Sequence, residues 1–160
     1  MGREIERKFL VEKRDWESMG EGTVLRQGYF PTEGKTVVRV RVGGGKAFLT
    51  VKGPDRGQGR LEFEYPVPSV DAEEMLIQFC RKPIIEKTRY RIPHAGLTWE
   101  VDVFHSDNQG LVVAEVELSS PGQEIELPPW ARREVTGDPK YGNASLVQRP
   151  FHTWEAEDLP

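Results

Sequence analysis

The sequence predicts a mainly β fold built from antiparallel hairpins. Three observations lead there. Apolar and polar residues alternate along eight stretches rich in Val, Ile, Phe and Tyr. Most gaps between those stretches are short and filled with turn-forming residues, which suits hairpins rather than parallel crossovers. And charged side chains recur at every second position of the stretches, so they share one face.

In chain order the strands are expected at 3–11, 24–30, 36–43, 46–53, 60–67, 85–92, 97–104 and 111–118. PTEGK at 31–35, GGG at 43–45, GPDRGQG at 53–59 and HAG at 94–96 supply turns between them. Helices are few. SVDAEEMLIQFC at 69–80 has Ser69 or Asp71 as an N-cap candidate and acids in its first turn. EKRDWESM at 12–19 reads as a short helix, and PPWARREV at 128–135 as a helix opened by proline. NASLVQRPF at 143–151 reads as one or two turns stopped by Pro150. No repeat, low-complexity tract or linker divides the chain, so residues 1–160 read as one domain.

Composition narrows the function. Charged residues make up 30% of the chain, yet 22 basic residues face 26 acidic ones, a formal net charge of −4. Bulk electrostatics therefore speaks against a general binder of nucleic acid or acidic membrane. Any anion site is a local concentration of charge. The apolar runs are too short to span a bilayer. With Cys80 the sole cysteine and no secretory leader, the expected location is the reducing cytoplasm.

The charge pattern is the most informative feature. EIERK places Glu4, Glu6 and Lys8 in one row. VVRVRV aligns Arg39 and Arg41, and AFLTVK adds Lys52. LEFEY aligns Glu62 with Glu64, and IEKTRYRI aligns Lys87, Arg89 and Arg91. TWEVDVF pairs Glu100 with Asp102, and VAEVEL pairs Glu115 with Glu117. The opposite face is mostly apolar, with Arg7 and Glu86 as exceptions.

Two arrangements accommodate this. One is an open sheet whose charged face meets water. The other is a sheet closed on itself, so that the charged face becomes a lumen. Near-exclusive charge, abundant Arg and segregated same-sign pairs favour the lumen. Such a lumen must hold water and ions. Carboxylate clusters suit a hard divalent cation, and Arg and Lys clusters suit an oxyanion of several phosphoryl groups. Together they point to metal-assisted phosphoryl transfer.

Set in order, EIERK, RVR at 39–41, TVK at 50–52, EFE at 62–64, KTR at 87–89, EVD at 100–102 and EVE at 115–117 resemble the CYTH superfamily, the triphosphate tunnel metalloenzymes. The resemblance spans nearly the whole chain and is nearest to the short single-domain bacterial branch. It implies a closed eight-stranded antiparallel β-barrel with a few helices packed outside. It implies Lys8, Arg39, Arg41, Lys52, Lys87 and Arg89 as triphosphate ligands, with Lys140 of DPKYGN added from a C-terminal loop. It marks Lys8, Lys87 and Tyr29 as catalytic candidates, Tyr29 steering which phosphate is cleaved. Glu4, Glu6, Glu115 and Glu117 resemble metal ligands for Mg²⁺ or Mn²⁺. Glu62, Glu64, Glu100 and Asp102 complete the acidic lining, either for a second metal or as charge partners of the bases.

Other motifs weigh little. GGGK at 43–46 fails the phosphate-loop pattern, because residue 47 is Ala and residue 40 is Val. Ser106 and Ser145 lack a His–Asp arrangement. The expected activity is metal-dependent hydrolysis of inorganic triphosphate. A class IV adenylate cyclase or thiamine triphosphatase is the alternative, and a non-catalytic polyphosphate or nucleotide sensor the third reading. The expected partner is a small triphosphate-containing molecule, with no nucleic acid and no membrane; whether the chain forms a homodimer is left open.

Overall fold

Ten strands form a single antiparallel sheet in the computed structural model, which describes residues 2–12 and 20–160. The strands are β1 (Gly2–Glu4), β2 (Glu6–Val11), β3 (Gly22–Tyr29), β4 (Val37–Gly43), β5 (Lys46–Lys52), β6 (Arg60–Pro66), β7 (Ile85–His94), β8 (Leu97–Phe104), β9 (Val112–Glu117) and β10 (Ala131–Glu134). Among the described residues two helices are longer than one turn, α1 (Ser69–Gln78) and α2 (Asn143–Gln148). All eight expected strands are present. The helix expected at 12–19 falls, apart from Glu12, outside the described residues.

The spatial order is β1-β6-β5-β4-β3-β7-β8-β9-β2-β10. The expected first strand is split at Ile5. Its first part pairs with β6 and its second with β9. The Ile5 carbonyl accepts from Leu118 N at 2.8 Å, at the point where the chain changes partners. The expected closed barrel is not drawn by the ladders themselves: among the described residues, no hydrogen-bonded pairing joins the edge strands β1 and β10. The two stretches that flank Ile5 nonetheless carry one continuous chain from β6 to β9.

The segment 128–135 departs from the expected helix. It was expected to be helical, and its Ala, Arg and Glu content favours helix locally. Instead Ala131–Glu134 adds as β10 to the edge of β2 with an irregular register. Two contacts outweigh the propensity. Trp130 is buried edge-on against Trp99, ring centroids 5.7 Å apart. Glu134 receives Arg7 Nε and Nη2 at 2.8 and 2.7 Å. Arg7, the exception on the apolar face of its strand, is thereby accounted for. Glu86, the other exception, accepts from Ser106 Oγ at 2.8 Å.

Three apolar clusters hold the sheet. Phe9, Trp99, Val101, Val116 and Trp130 pack on its outer face. Val40 and Ala47 take the Ala72–Leu76 stripe of α1, with Cys80 beside it. Fully burying such large side chains contributes roughly 1.5–3 kcal/mol each. Gly28 permits the close approach of α1, since a Cβ there would lie 2.7 Å from Cys80 Cβ and 2.9 Å from Leu76 Cδ2. The helix is capped by Pro68 rather than by Ser69 or Asp71, without a side-chain bond. The third cluster, with Phe104, Ile85, Tyr141, Leu146 and Trp154, brings the C-terminal segment and α2 against the face that carries Lys87. GGGK is the hairpin expected, turning at Gly44 and Gly45 with φ of 59° and 75°.

No helix among the described residues is long and apolar enough to cross a membrane.

Candidate functional site

Strand register explains how same-sign pairs along each strand coexist. Across the ladders, acids fall beside bases. Lys52 lies opposite Glu62, Arg89 opposite Asp102, Arg91 opposite Glu100 and Lys8 opposite Glu115. Cross-strand partners share a face, so the charges converge from many strands on one side of the sheet. There they surround a cavity of about 410 Å³.

Six of the expected bases line it: Lys8, Arg39, Arg41, Lys52, Lys87 and Arg89. The carboxylates Glu4, Glu6 and Glu115 and the phenol of Tyr29 line it too. These are all residues singled out from the sequence. Arg60, Asp55, Asp138, Thr136 and Asn143 join them unannounced. Arg60 was within reach of the alternation pattern, since it leads the Glu62–Glu64 row. Asn143 carried no periodic signal; it arrives with α2, packed from outside the strand pattern.

Six expected residues sit elsewhere. Glu62 bridges to Lys52 at 3.1 Å, and Glu64 to Arg39 at 3.3 Å. Glu100 bridges both Arg89 and Arg91 at 3.1 Å. Asp102 is fully buried and receives Lys87 Nζ at 2.8 Å and Arg89 Nε at 2.7 Å. Each of these four carboxylates is thus paired with a base. Glu117, opposite Glu6 in the ladder, is exposed at the sheet's margin. Burial raises its carboxyl, and Glu4, Glu62 and Glu100 raise it further. Lys140 turns away from the cavity, donating to the Asp158 carbonyl at 2.9 Å and lying 5.2 Å from the Tyr141 and Trp154 ring centres.

Glu4, Glu6 and Glu115 divide into two kinds. Glu4 is held ionised: burial opposes its charge, but Lys52 at 2.9 Å and Arg60 at 3.1 Å overcome it. Glu6 and Glu115 hydrogen-bond to each other and diverge. Burial, Glu115 and Glu4 drive Glu6 well above the usual carboxylate range. Glu115 is also buried, yet Lys8, Arg89 and Lys87 hold it well below. One proton is therefore shared between the two, as expected for like charges at close range. Among the described residues, no three His, Cys, Asp or Glu side chains are gathered into a ready-made metal cluster.

The bases divide as well. Lys8 stays charged, because Glu115 and Glu6 outweigh the effect of burial; it also donates to the Tyr141 carbonyl at 3.1 Å. Lys87 is pushed down to about 7 by burial, and Arg89 and Arg41 add to the effect against the pull of Asp102. Arg41 is lowered to about 10 by burial, Arg39 and Arg89. Among the described residues it has no carboxylate partner and donates only to Gln27, at 2.9 Å. The buried Nε of Arg39 has no hydrogen-bond partner. A cavity with surplus cations and an idle guanidinium donor is built for an anion.

The CYTH domain matches residues 2–151 of the chain. The chain belongs to the CYTH family. Among relatives, the inorganic triphosphatase of Acetivibrio thermocellus is 46% identical over 155 residues, covering 97% of this chain and 99% of the relative. The inorganic triphosphatase of Nitrosomonas europaea is 37% identical over 153 residues, covering 90% and 96%. A crystal structure of an inorganic triphosphatase superposes with a TM-score of 0.66 at 34% identity, covering 92% of this CYTH chain and 95% of the other. A Pyrococcus horikoshii protein shares the CYTH chain's fold at a TM-score of 0.57 and 24% identity, covering 74% and 80%.

Proposed function

We propose that this CYTH protein hydrolyses inorganic triphosphate with the help of Mg²⁺ or Mn²⁺, inside a lumen closed where the N-terminal chain steps from β6 to β9 at Ile5. The observation that carries the reading is the excess of cation over paired carboxylate at the cavity, with Arg39 Nε and Arg41 left for a polyanion. A linear triphosphate is short, highly charged and devoid of apolar surface. Tyr29 is the one aromatic residue among the described cavity lining, so nothing there offers a stacking platform to a base or a thiazole ring. The inorganic triphosphatase relatives support the same substrate.

The residues fit a divalent cation. Glu6 and Glu115 come close enough to share a proton, and Glu4 acts on Glu6 electrostatically. Hard carboxylate oxygens in that arrangement suit Mg²⁺ or Mn²⁺ in place of the proton. When bound, the cation supplies charge neutralisation at the phosphate oxygens.

The chain's own groups do the rest. Arg39, Arg41, Arg89 and Lys52 hold the anion extended along the face. Lys8, fixed by Glu115 and the Tyr141 carbonyl, meets the phosphoryl group nearest the carboxylates. A carboxylate of the Glu4–Glu6–Glu115 group orients the attacking water for in-line displacement. Lys87, at about 7, neutralises the departing phosphate and is matched to give it a proton. Tyr29 donates to a phosphate oxygen and sets which bond lies in line. The single buried Cys80 accords with a cytoplasmic setting.

A panel of inorganic triphosphate, ATP and thiamine triphosphate tests this, each with Mg²⁺, Mn²⁺ or chelator. Phosphate release is expected to be fastest from inorganic triphosphate. Preferential cleavage of ATP, or formation of cyclic AMP, would assign the cavity to a nucleotide.

A further inference from the structure

Gln27 lies behind the cavity wall, fully buried, and does not line the cavity. Its strand register explains its place. It stands opposite Arg41 on β4 and two residues before Tyr29 on its own strand, so all three share a face. Its amide makes three hydrogen bonds. The carbonyl Oε1 accepts from Arg41 Nε at 2.9 Å. The amide Nε2 donates to the Tyr29 hydroxyl at 2.8 Å and to Asn143 Oδ1 at 3.1 Å.

This network has one consistent polarity. Arginine has donors only, so the atom of Gln27 facing Arg41 must be its carbonyl. Its two amide hydrogens then go to Tyr29 and Asn143. The Asn143 oxygen that receives Gln27 also receives Lys87 Nζ at 2.9 Å, a bond that the ammonium form donates. The Tyr29 oxygen is thus made an acceptor toward the wall, and its hydrogen is left to point elsewhere. The Asn143 amide nitrogen is likewise turned from the wall. Both side chains line the cavity.

We propose that Gln27 is a positioning residue, which absorbs the acceptor oxygens of Tyr29 and Asn143 so that these two side chains present only hydrogen-bond donors to a triphosphate. Phosphate oxygens are acceptors, and a tyrosine free to turn its lone pair inward would repel them. The amide fixes that rotor at both ends, anchored by Arg41 and Lys87. This deepens the triphosphate reading and rests on it. It also explains why a neutral amide is buried among ion pairs: a carboxylate at position 27 would accept the Tyr29 proton and aim the phenol the wrong way.

A double-mutant cycle of Gln27→Met and Tyr29→Phe tests the assignment without changing charge, and Gln27→Glu serves as a second variant that keeps the bond to Arg41. In the wild-type background, Tyr29→Phe is expected to lower kcat about tenfold, the scale of one hydrogen bond to a charged acceptor, with KM changed less. Gln27→Met and Gln27→Glu should each lower kcat similarly. Adding Tyr29→Phe to either should then cost nothing further, because the donor is already lost. Losses that multiply would overturn the proposal, as would a Tyr29→Phe variant at the wild-type rate, whatever the Gln27 variants do. If the wild type binds triphosphate calorimetrically but does not cleave it, the hydrolase reading fails; the same cycle read in affinity then supports or overturns the Gln27 role on its own.

Discussion

Lys87 Nζ lies 2.8 Å from Asp102 Oδ2, and both side chains are sealed from solvent. A buried ammonium beside a carboxylate ordinarily stays charged. Here burial, Arg89 and Arg41 outweigh Asp102 and bring Lys87 down to about 7, while Lys87 and Arg89 overcome burial to keep Asp102 ionised. Lys87 therefore holds its proton more loosely than Arg41, which is lowered only to about 10.

Binding of a polyanion is expected to restore that proton. At pH 8 the free protein holds Lys87 mostly neutral, and a triphosphate beside it favours the ammonium. Calorimetry at pH 8 in two buffers of different ionisation enthalpy is expected to show proton uptake on triphosphate binding, absent in Lys87→Met. Affinity should decline as pH rises above about 7. Buffer-independent heats would contradict this. The same depression acts on stability: between about 7 and the ordinary lysine value the unfolded chain binds the extra proton. The Lys87 contribution is therefore lost as pH falls through about 7.

Glu6 has the opposite sign. Its folded value is raised, so the folded protein binds the extra proton, and the contribution of Glu6 to stability is lost as pH rises above the ordinary glutamate value. Glu6→Gln mimics the protonated form. It is expected to raise the melting temperature of the metal-free protein at pH 8 by about 3 °C, with little change at pH 4. Thermal unfolding monitored by circular dichroism reads it. A lower melting temperature at pH 8 would mean that Glu6 is held ionised by a partner.

The bases are not interchangeable. Lys52 bridges Glu4 and Glu62, at 2.9 and 3.1 Å. Lys52→Ala leaves both acids short of a partner and is expected to destabilise the fold by about 1–3 kcal/mol. Simple relief of repulsion among the bases does not apply to it. Arg41, without a carboxylate, is where relief applies: Arg41→Gln should hold or raise stability. Both variants should weaken triphosphate binding more than about tenfold, the scale of a charge-assisted hydrogen bond. Denaturant titration with calorimetry separates the two effects, and equal stability losses would contradict the distinction.

Period-two alternation made the strands legible, because a charged residue two positions from another declares a shared face whatever it touches. It also marked every charged side chain from the strands that lines the cavity except Arg60, whose row was read from Glu62 onward. What it could not convey is register. Whether Glu62 faces a metal or Lys52 depends on which residue lies opposite, and that is set by hairpin turns and by the break at Ile5. β10 was hidden for another reason: Arg7 and Trp99, far away in sequence, decide the conformation of a helix-favouring segment. Gln27 and Asn143 are neutral, and a search for charge passes over them.

In the proposed mechanism, the carboxylates at the start of the chain make turnover depend on a divalent cation. Phosphate release from inorganic triphosphate, titrated with Mn²⁺ from chelator-treated buffer in the wild type, Glu4→Gln and Glu6→Gln, measures it directly. The wild type is expected to be silent without metal and to saturate with it. Each variant should lose turnover by about two orders of magnitude or more and regain part of it at high Mn²⁺. Near wild-type rates for both variants in chelator would contradict this dependence.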